Sequence, residues 1–128
     1  MVENGGFAGC RSRAITPPVD LELYSGLRIR VRGDGQRYKF IIRDDYNWNG
    51  IAWAFSFDTQ KGEWIDINAP FDEFVPTLFA RRVPSARFNA KRLTALQLTL
   101  SKFEYDDQLN PSFRAGPFCL EIDRIGAY

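Results

Sequence analysis

Along five stretches of this chain apolar and polar residues alternate with period two, the repeat that puts one set of side chains in a core and the other in water. Leu27, Ile29 and Val31 alternate with Arg28, Arg30 and Arg32, and Tyr38, Phe40 and Ile42 with Lys39, Ile41 and Arg43. Ile51, Trp53, Phe55 and Phe57 alternate with Ala52, Ala54 and Ser56. Leu96, Leu98 and Leu100 alternate with Gln97, Thr99 and Ser101, and Phe118, Leu120 and Ile122 with Cys119, Glu121 and Asp123. Each stretch predicts a strand with one wet face. Turn signals separate them at Gly33-Asp34-Gly35, Asn47-Trp48-Asn49-Gly50, Lys61-Gly62 and the prolines. Short strands at this spacing predict an all-β, antiparallel two-sheet sandwich of the jelly-roll kind. Helical turns are expected only around Phe71 to Phe74 and Asn89 to Leu93. With no linker, repeat or low-complexity tract, residues 1–128 read as a single domain.

Composition narrows the chemistry. The 128 residues are 45% apolar and 15% aromatic and contain no histidine, which removes the commonest general base, the usual metal ligand and the neutral-pH switch. Cys10 and Cys119 are too few and too far apart for a disulfide framework or a Cys-x-x-Cys metal site, and are expected to be reduced and mostly buried. No apolar run approaches the ~20 residues of a membrane-spanning helix, so no membrane insertion is expected. Residues 1–6 carry neither a signal-peptide nor a transit-peptide pattern. An organellar destination would therefore require a targeting segment beyond these residues.

A formal net charge of +1 gives no global field for a polyanion, but the charges come in blocks. Residues 1–43 hold 8 basic and 4 acidic groups, 44–78 hold 1 and 7, 79–102 hold 6 and 0, and 103–128 hold 2 and 5. Arginine supplies 13 of the 17 cations, and its planar fork suits phosphate or carboxylate. Arg28, Arg30 and Arg32 would project from one strand face at ~6.8 Å intervals, close to phosphate spacing on an extended single strand. If Leu27 to Arg43 forms a hairpin around Gly33-Asp34-Gly35, Arg37, Lys39 and Arg43 join them on one surface. The alternative is a solvated face paired with acidic neighbours. Arg81, Arg82, Arg87, Lys91 and Arg92 form a second basic stretch after Pro70-Phe71-Asp72-Glu73-Phe74-Val75-Pro76. Exposed phenylalanines there would stack bases, whereas a sandwich core would bury them.

Three patterns that look catalytic do not hold up as sequence. Gly33-Asp34-Gly35-Gln36-Arg37-Tyr38 lacks the third glycine of a dinucleotide fingerprint and lies between strands. Asp45-Tyr46-Asn47-Trp48-Asn49-Gly50 begins like a calcium loop, but Ser56 stands where a bidentate glutamate is required. The pairs Asp44-Asp45 and Asp106-Asp107 place neighbouring carboxylates on opposite sides of the chain, with no positioned nucleophile. No metal or cofactor is expected.

Several longer strings are specific. Asn4-Gly5-Gly6-Phe7, Gly26-Leu27-Arg28 through Arg32-Gly33-Asp34-Gly35-Gln36-Arg37-Tyr38-Lys39, Phe57-Asp58-Thr59, Gly62-Glu63-Trp64, Pro70-Phe71 with Phe74-Val75-Pro76, and Gly116-Pro117-Phe118 with Leu120-Glu121-Ile122 resemble the complex I intermediate-associated protein 30 domain family. The resemblance covers nearly the whole chain in order. It implies a galactose-binding-like jelly roll that serves assembly rather than catalysis, in mitochondria for respiratory complex I. Leu98 to Pro111, and Arg43-Asp44 leading to Trp48-Asn49-Gly50-Ile51-Ala52-Trp53, look like the chloroplast high chlorophyll fluorescence branch, whose members promote translation of the photosystem II D1 messenger RNA. Family domains usually begin further upstream, with a Trp and a Gly-Gly turn, so the chain is expected to be an excised piece lacking an edge strand.

The leading expectation is therefore a non-catalytic domain of a chloroplast photosystem II biogenesis factor. Its expected partners are messenger RNA or ribonucleoprotein, other proteins, and the dehydrogenase-like remainder of its own chain. Arg28, Arg30, Arg32, Arg37, Lys39, Arg43, Arg81 and Arg82 are the candidate contacts. A mitochondrial complex I assembly scaffold is the first alternative. A carbohydrate-binding module using Trp48, Trp53 and Trp64 is the second, with Trp53 better placed for the core.

Overall fold

The computed structural model describes residues 7–47, 49–79, 81–83, 86–101, 105, 108–113 and 119–128. Among these residues nine strands form in chain order: β1 (Phe7–Arg11), β2 (Gly26–Arg32), β3 (Arg37–Arg43), β4 (Ala52–Asp58), β5 (Trp64–Pro70), β6 (Val75–Leu78), β7 (Arg81–Arg82), β8 (Ala95–Ser101) and β9 (Glu121–Ala127). Their pairings are antiparallel. One sheet has the order β1-β8-β3-β4-β6-β7 and the other β5-β2-β9. The two pack face to face, which gives the predicted sandwich.

The alternation read from the sequence sets the core. Ile29 and Val31 of β2 meet Phe40 and Ile42 of β3, Trp53 and Phe57 of β4, and Leu98 and Leu100 of β8 in one buried cluster. Phe74 packs edge-on to Phe40 at 6.0 Å and tilted on Phe55 at 5.6 Å, and Phe71 meets Phe88 at 5.4 Å. The phenylalanines of the 70–76 segment thus pack inward rather than forming a stacking platform. Of the two expected helical turns, Phe71–Glu73 is a short 3-10 turn. The other shrinks to one turn closed by Arg92 N–H on Asn89 O, because Leu93 already bridges to Val19.

One expectation fails in an informative way: β2 and β3 are not a hairpin. β2 pairs with β5 and β9, whereas β3 pairs with β4 and β8 in the opposite sheet. The Gly33-Asp34-Gly35 turn is a corner between layers. Asp34 holds it, accepting hydrogen bonds from Gln36 N–H and Nε2, from the Tyr38 hydroxyl at 2.9 Å and from the Cys119 amide at 3.1 Å. Thr59 closes the other side, accepting from Gly35 N–H and donating to Gln36 O at 2.7 Å. A Cβ at Gly33 would lie 2.5 Å from the Thr59 side chain, so this approach requires glycine.

Two further differences follow from the edges. The last strand begins at Glu121, later than the alternation indicated, because the Cys119 amide is held by Asp34 and pairing starts at Arg32↔Glu121. Phe118 lies outside the described residues. Both cysteines are exposed free thiols, not buried ones. Cys10 sits on edge strand β1 beside a crevice with Leu96, Leu98, Ile122 and Ile125, and the backbone of Cys119 is drawn to the surface corner.

The corner makes stability depend on pH. Burial pushes the Asp34 carboxyl upward, but hydrogen bonds from Gln36, the Cys119 amide and Tyr38 outweigh it and leave the group below its ordinary value of 3.8. Burial, then the Asp34 hydrogen bond, lifts the Tyr38 phenol well above the usual range, so it stays a donor. A depressed carboxyl stabilises the fold above its unfolded value, and that contribution is lost as pH falls through the folded value. Urea midpoints should therefore show Asp34→Asn clearly less stable than wild type at pH 7, with the gap narrowing below pH ~4. Phe40→Ala, at a fully buried site, should cost about 3–5 kcal/mol in the same assay.

Candidate functional site

Because β2 and β3 belong to different layers, the eight candidate cations divide between opposite faces. The outer face of the three-stranded sheet carries Arg28, Arg30 and Arg32 from β2, flanked by Trp64, Asp66 and Asn68 of β5 and by residues of β9. The arginine comb forms as a row, and its neighbours engage it. Arg32 grips Glu121 bidentately at 2.7 and 2.8 Å. Arg30 lies 3.3 Å from Asp66 and 3.7 Å from Asp123. Arg28 instead donates from Nε to the neutral Asn68 Oδ1 at 2.7 Å, with its guanidinium 5.0 Å from the Tyr128 ring centre. Trp64, 38% exposed, lies beneath Arg30 and Arg32 at 5.7 and 5.0 Å.

Arg37, Lys39 and Arg43 line the outer face of the six-stranded sheet. A groove of about 200 Å³ runs over it, floored by the small residues Ala52, Ala54 and Thr99 and walled by Lys39, Arg43 and Tyr105. Tyr105 is tethered by contact with the Ser56 hydroxyl at 3.2 Å and by its bond to Ala54 O at 3.4 Å. Lys39, only 8% exposed, places its ammonium 4.6 Å from that ring centre, and Arg82 of β7 lies 5.4 Å from the same centre. Burial, followed by the charge of Arg11, lowers the Arg43 pKa. Arg37 at the rim pairs with Asp58 at 2.7 Å. Arg81 stands exposed on β7.

Among the described residues, neither face shows a nucleophile paired with a base. Among the described residues no group of three or more His, Cys, Asp or Glu is placed to hold a metal. Asp45 and Asn47, in the loop that begins like a calcium site, spend their side chains on the amides of Asn47 and Asn49. No described helix is long and apolar enough to cross a membrane. Trp53 is buried against Phe88 at 5.5 Å, and Trp48 lies outside the described residues, as do Asp106 and Asp107. Tyr105, Tyr128, Asn68 and Gly126 escaped the sequence reading because cross-strand register, not local pattern, brings them beside the arginines.

These surfaces present hydrogen-bond donors, charge and aromatic faces on an antiparallel jelly-roll sandwich. The same architecture occurs in the family 11 carbohydrate-binding module of a cellulosomal cellulase of Clostridium thermocellum, with a TM-score of 0.66 at 15% identity over 94% of this chain and 66% of that one. It recurs in the family 11 module from the same organism in complex with a β-1,3-1,4-mixed-linked tetrasaccharide, with a TM-score of 0.62 at 14% identity over 94% of this chain and 67% of that one. Residues 1–122 match the sequence profile of complex I intermediate-associated protein 30, and the chain belongs to that family. It is 30% identical over 111 residues to the probable mitochondrial complex I intermediate-associated protein 30 of Caenorhabditis elegans, and equally to that of Caenorhabditis briggsae. The alignment covers 82% of this chain and 29% of each relative's length.

The ion pairs on the outer face of the three-stranded sheet are partly exposed, and water and salt weaken such pairs. A double-mutant cycle of Arg32→Ala and Glu121→Ala should give a coupling of about 0.2–1 kcal/mol by urea unfolding. It should shrink further in 0.5–1 M salt, the range where screening shortens to a few ångströms.

Proposed function

We propose that this chain is a non-catalytic, partner-binding sandwich of a mitochondrial assembly factor for respiratory complex I, acting through protein contacts. The observation that carries this reading is the 30% identity, over most of the chain, to two relatives named as probable mitochondrial complex I intermediate-associated proteins. Surfaces rich in hydrogen-bond donors without paired acid-base machinery fit binding better than catalysis. The chain spans 29% of those relatives' length, so the whole protein's role draws on sequence outside this sandwich.

The reading as a chloroplast factor acting on the D1 messenger RNA comes second. Its support is the Arg43 to Trp53 and Leu98 to Pro111 strings and the arginine comb. The comb favours it less than the sequence implied, because Asp66, Asp123 and Glu121 already neutralise Arg30 and Arg32 and would repel phosphates. Carbohydrate binding rests on the shared fold alone. Of its three candidate platforms, Trp53 is in the core, Trp64 lies under two guanidiniums and Trp48 lies outside the described residues.

The test is complementation. The full-length protein, expressed in cells depleted of their own complex I intermediate-associated protein 30, should enter mitochondria and restore mature complex I on blue-native gels. Mitochondrial entry with assembly intermediates left unresolved would overturn the reading. Residence in chloroplasts with loss of D1 synthesis on depletion would move the assignment to the second reading.

A further inference from the structure

A cleft of about 610 Å³ opens on the outer face of the three-stranded sheet among Arg28, Arg30, Asp66, Asn68, Arg124 and Gly126. We propose that this cleft receives an acidic side chain of an extended, mixed-charge peptide segment, gripped by Arg28 and Arg124. The proposal deepens the assembly-factor reading by naming the chemistry of the protein partner, and it rests on that reading for its biological setting.

Arg28 is built differently from its neighbours. Asn68 fixes its Nε and Tyr128 supports its plane, so among the described residues the guanidinium is oriented without a carboxylate partner and its terminal nitrogens make no hydrogen bond. Tyr128 is itself clamped to the start of β2, donating to Gly26 O at 3.1 Å and accepting from Gly26 N–H at 3.2 Å. A preoriented fork with two vacant donors matches one carboxylate bidentately.

Charge around the fork points the same way. The pairing of β2 with β9 shifts register after Arg30, and Asp123 is the residue left between the Arg124 and Ile122 pairings. Its carboxylate serves two cations, Arg30 at 3.7 Å and Arg124 at 3.4 Å, although Arg30 and Arg124 stand directly opposite one another. Among the described residues, four guanidiniums thus share this face with three carboxylates, Asp66, Glu121 and Asp123. The surplus positive charge lies at the Arg28 and Arg124 end.

The space beside Arg28 is there because its cross-strand partner is Gly126. A Cβ at Gly126 would meet nothing within 4 Å, and its backbone is not in the left-handed region. Neither packing nor conformation requires glycine, and its effect is to leave the cleft floor open. The carboxylates one row further along disfavour a uniformly anionic strand. An extended peptide with an acid over Arg28 and a base two residues away, ~6.8 Å along the sheet, matches both rows.

The experiment is an NMR titration of the 15N-labelled chain, reading the Gly126 amide and the Arg28 Nε–H. The probes are a nine-residue Gly/Ser peptide with a central Glu and a Lys two positions to either side, its Gln counterpart, and an oligouridylate. The Glu peptide should shift both signals, and the Gln peptide should bind at least about tenfold more weakly, the loss of a charge-assisted bidentate contact. Arg28→Gln should weaken the Glu peptide about tenfold, and Gly126→Leu should abolish its binding, with the remainder of each spectrum preserved. Lys61→Gln, at an exposed turn away from both faces, should change nothing. Equal binding of the Glu and Gln peptides, absence of binding, or indifference to both cleft variants would overturn the proposal. So would tighter oligouridylate binding with the same variant sensitivity, which assigns the cleft to nucleic acid. Failed complementation alongside a Gly126-dependent Glu peptide contact would sink the assembly reading and leave the cleft standing; the reverse pair of results would sink only the cleft.

Discussion

The arrangement depends on the corner between β2 and β3, where four residues carry the chain from one sheet to the other. Asp34 collects hydrogen bonds from groups as distant in sequence as Cys119, and Thr59 ties down the opposite side. With the corner made, Ile29 and Val31 point at Phe40 and Ile42 across the core. The polar partners of those residues must then face outward on opposite sides of the molecule. The geometry of a single turn therefore determines which cations share a surface.

The two surfaces answer the problem of displaying arginine and lysine in different ways. On the three-stranded side, carboxylates and aromatic rings on the flanking strands take up most of the guanidiniums, giving a patterned face of mixed sign. On the six-stranded side, small residues at Ala52, Ala54 and Thr99 let a groove form, and the Tyr105 ring gathers Lys39 and Arg82 above it. Mixed sign gives orientation and partner discrimination more than raw affinity. That property suits the partner-binding role proposed for this sandwich.

The strands with strict alternation were legible without coordinates, and so was the sandwich they imply. β5 has the same alternation, with Ile65, Ile67 and Ala69 inward and Trp64, Asp66 and Asn68 outward, but Asp66 and Asn68 are poor strand formers and it is not among the five stretches. β1 and the two-residue β7 are edge pieces whose pairing comes from their neighbours, not from their own residues. The site was less readable. Arg28, Arg30 and Arg32 were found from spacing, but their fate depended on Asp66 and Glu121, brought alongside from 36 and 89 residues away. Local sequence pattern contains no register between strands that far apart. A turn motif such as Gly33-Asp34-Gly35 likewise suits a hairpin and a layer crossing equally; only the distant partner of Asp34 distinguishes them.

The pairing of β2 with β9 has a consequence for how the molecule comes into being. β2 lies in the first quarter of the chain, yet one of its two neighbours is the last strand, and β1 likewise waits for β8. Contacts closed over such long loops form late and slowly, because chain entropy must be given up before the contacts offset it. A chain emerging from a ribosome or threading through a translocation pore can assemble β3 with β4 early. Its three-stranded face, with the arginine row, stays unfinished until β9 is free to pair. During that interval β2 is an apolar strand with an unpaired edge, the segment a chaperone would have most reason to hold.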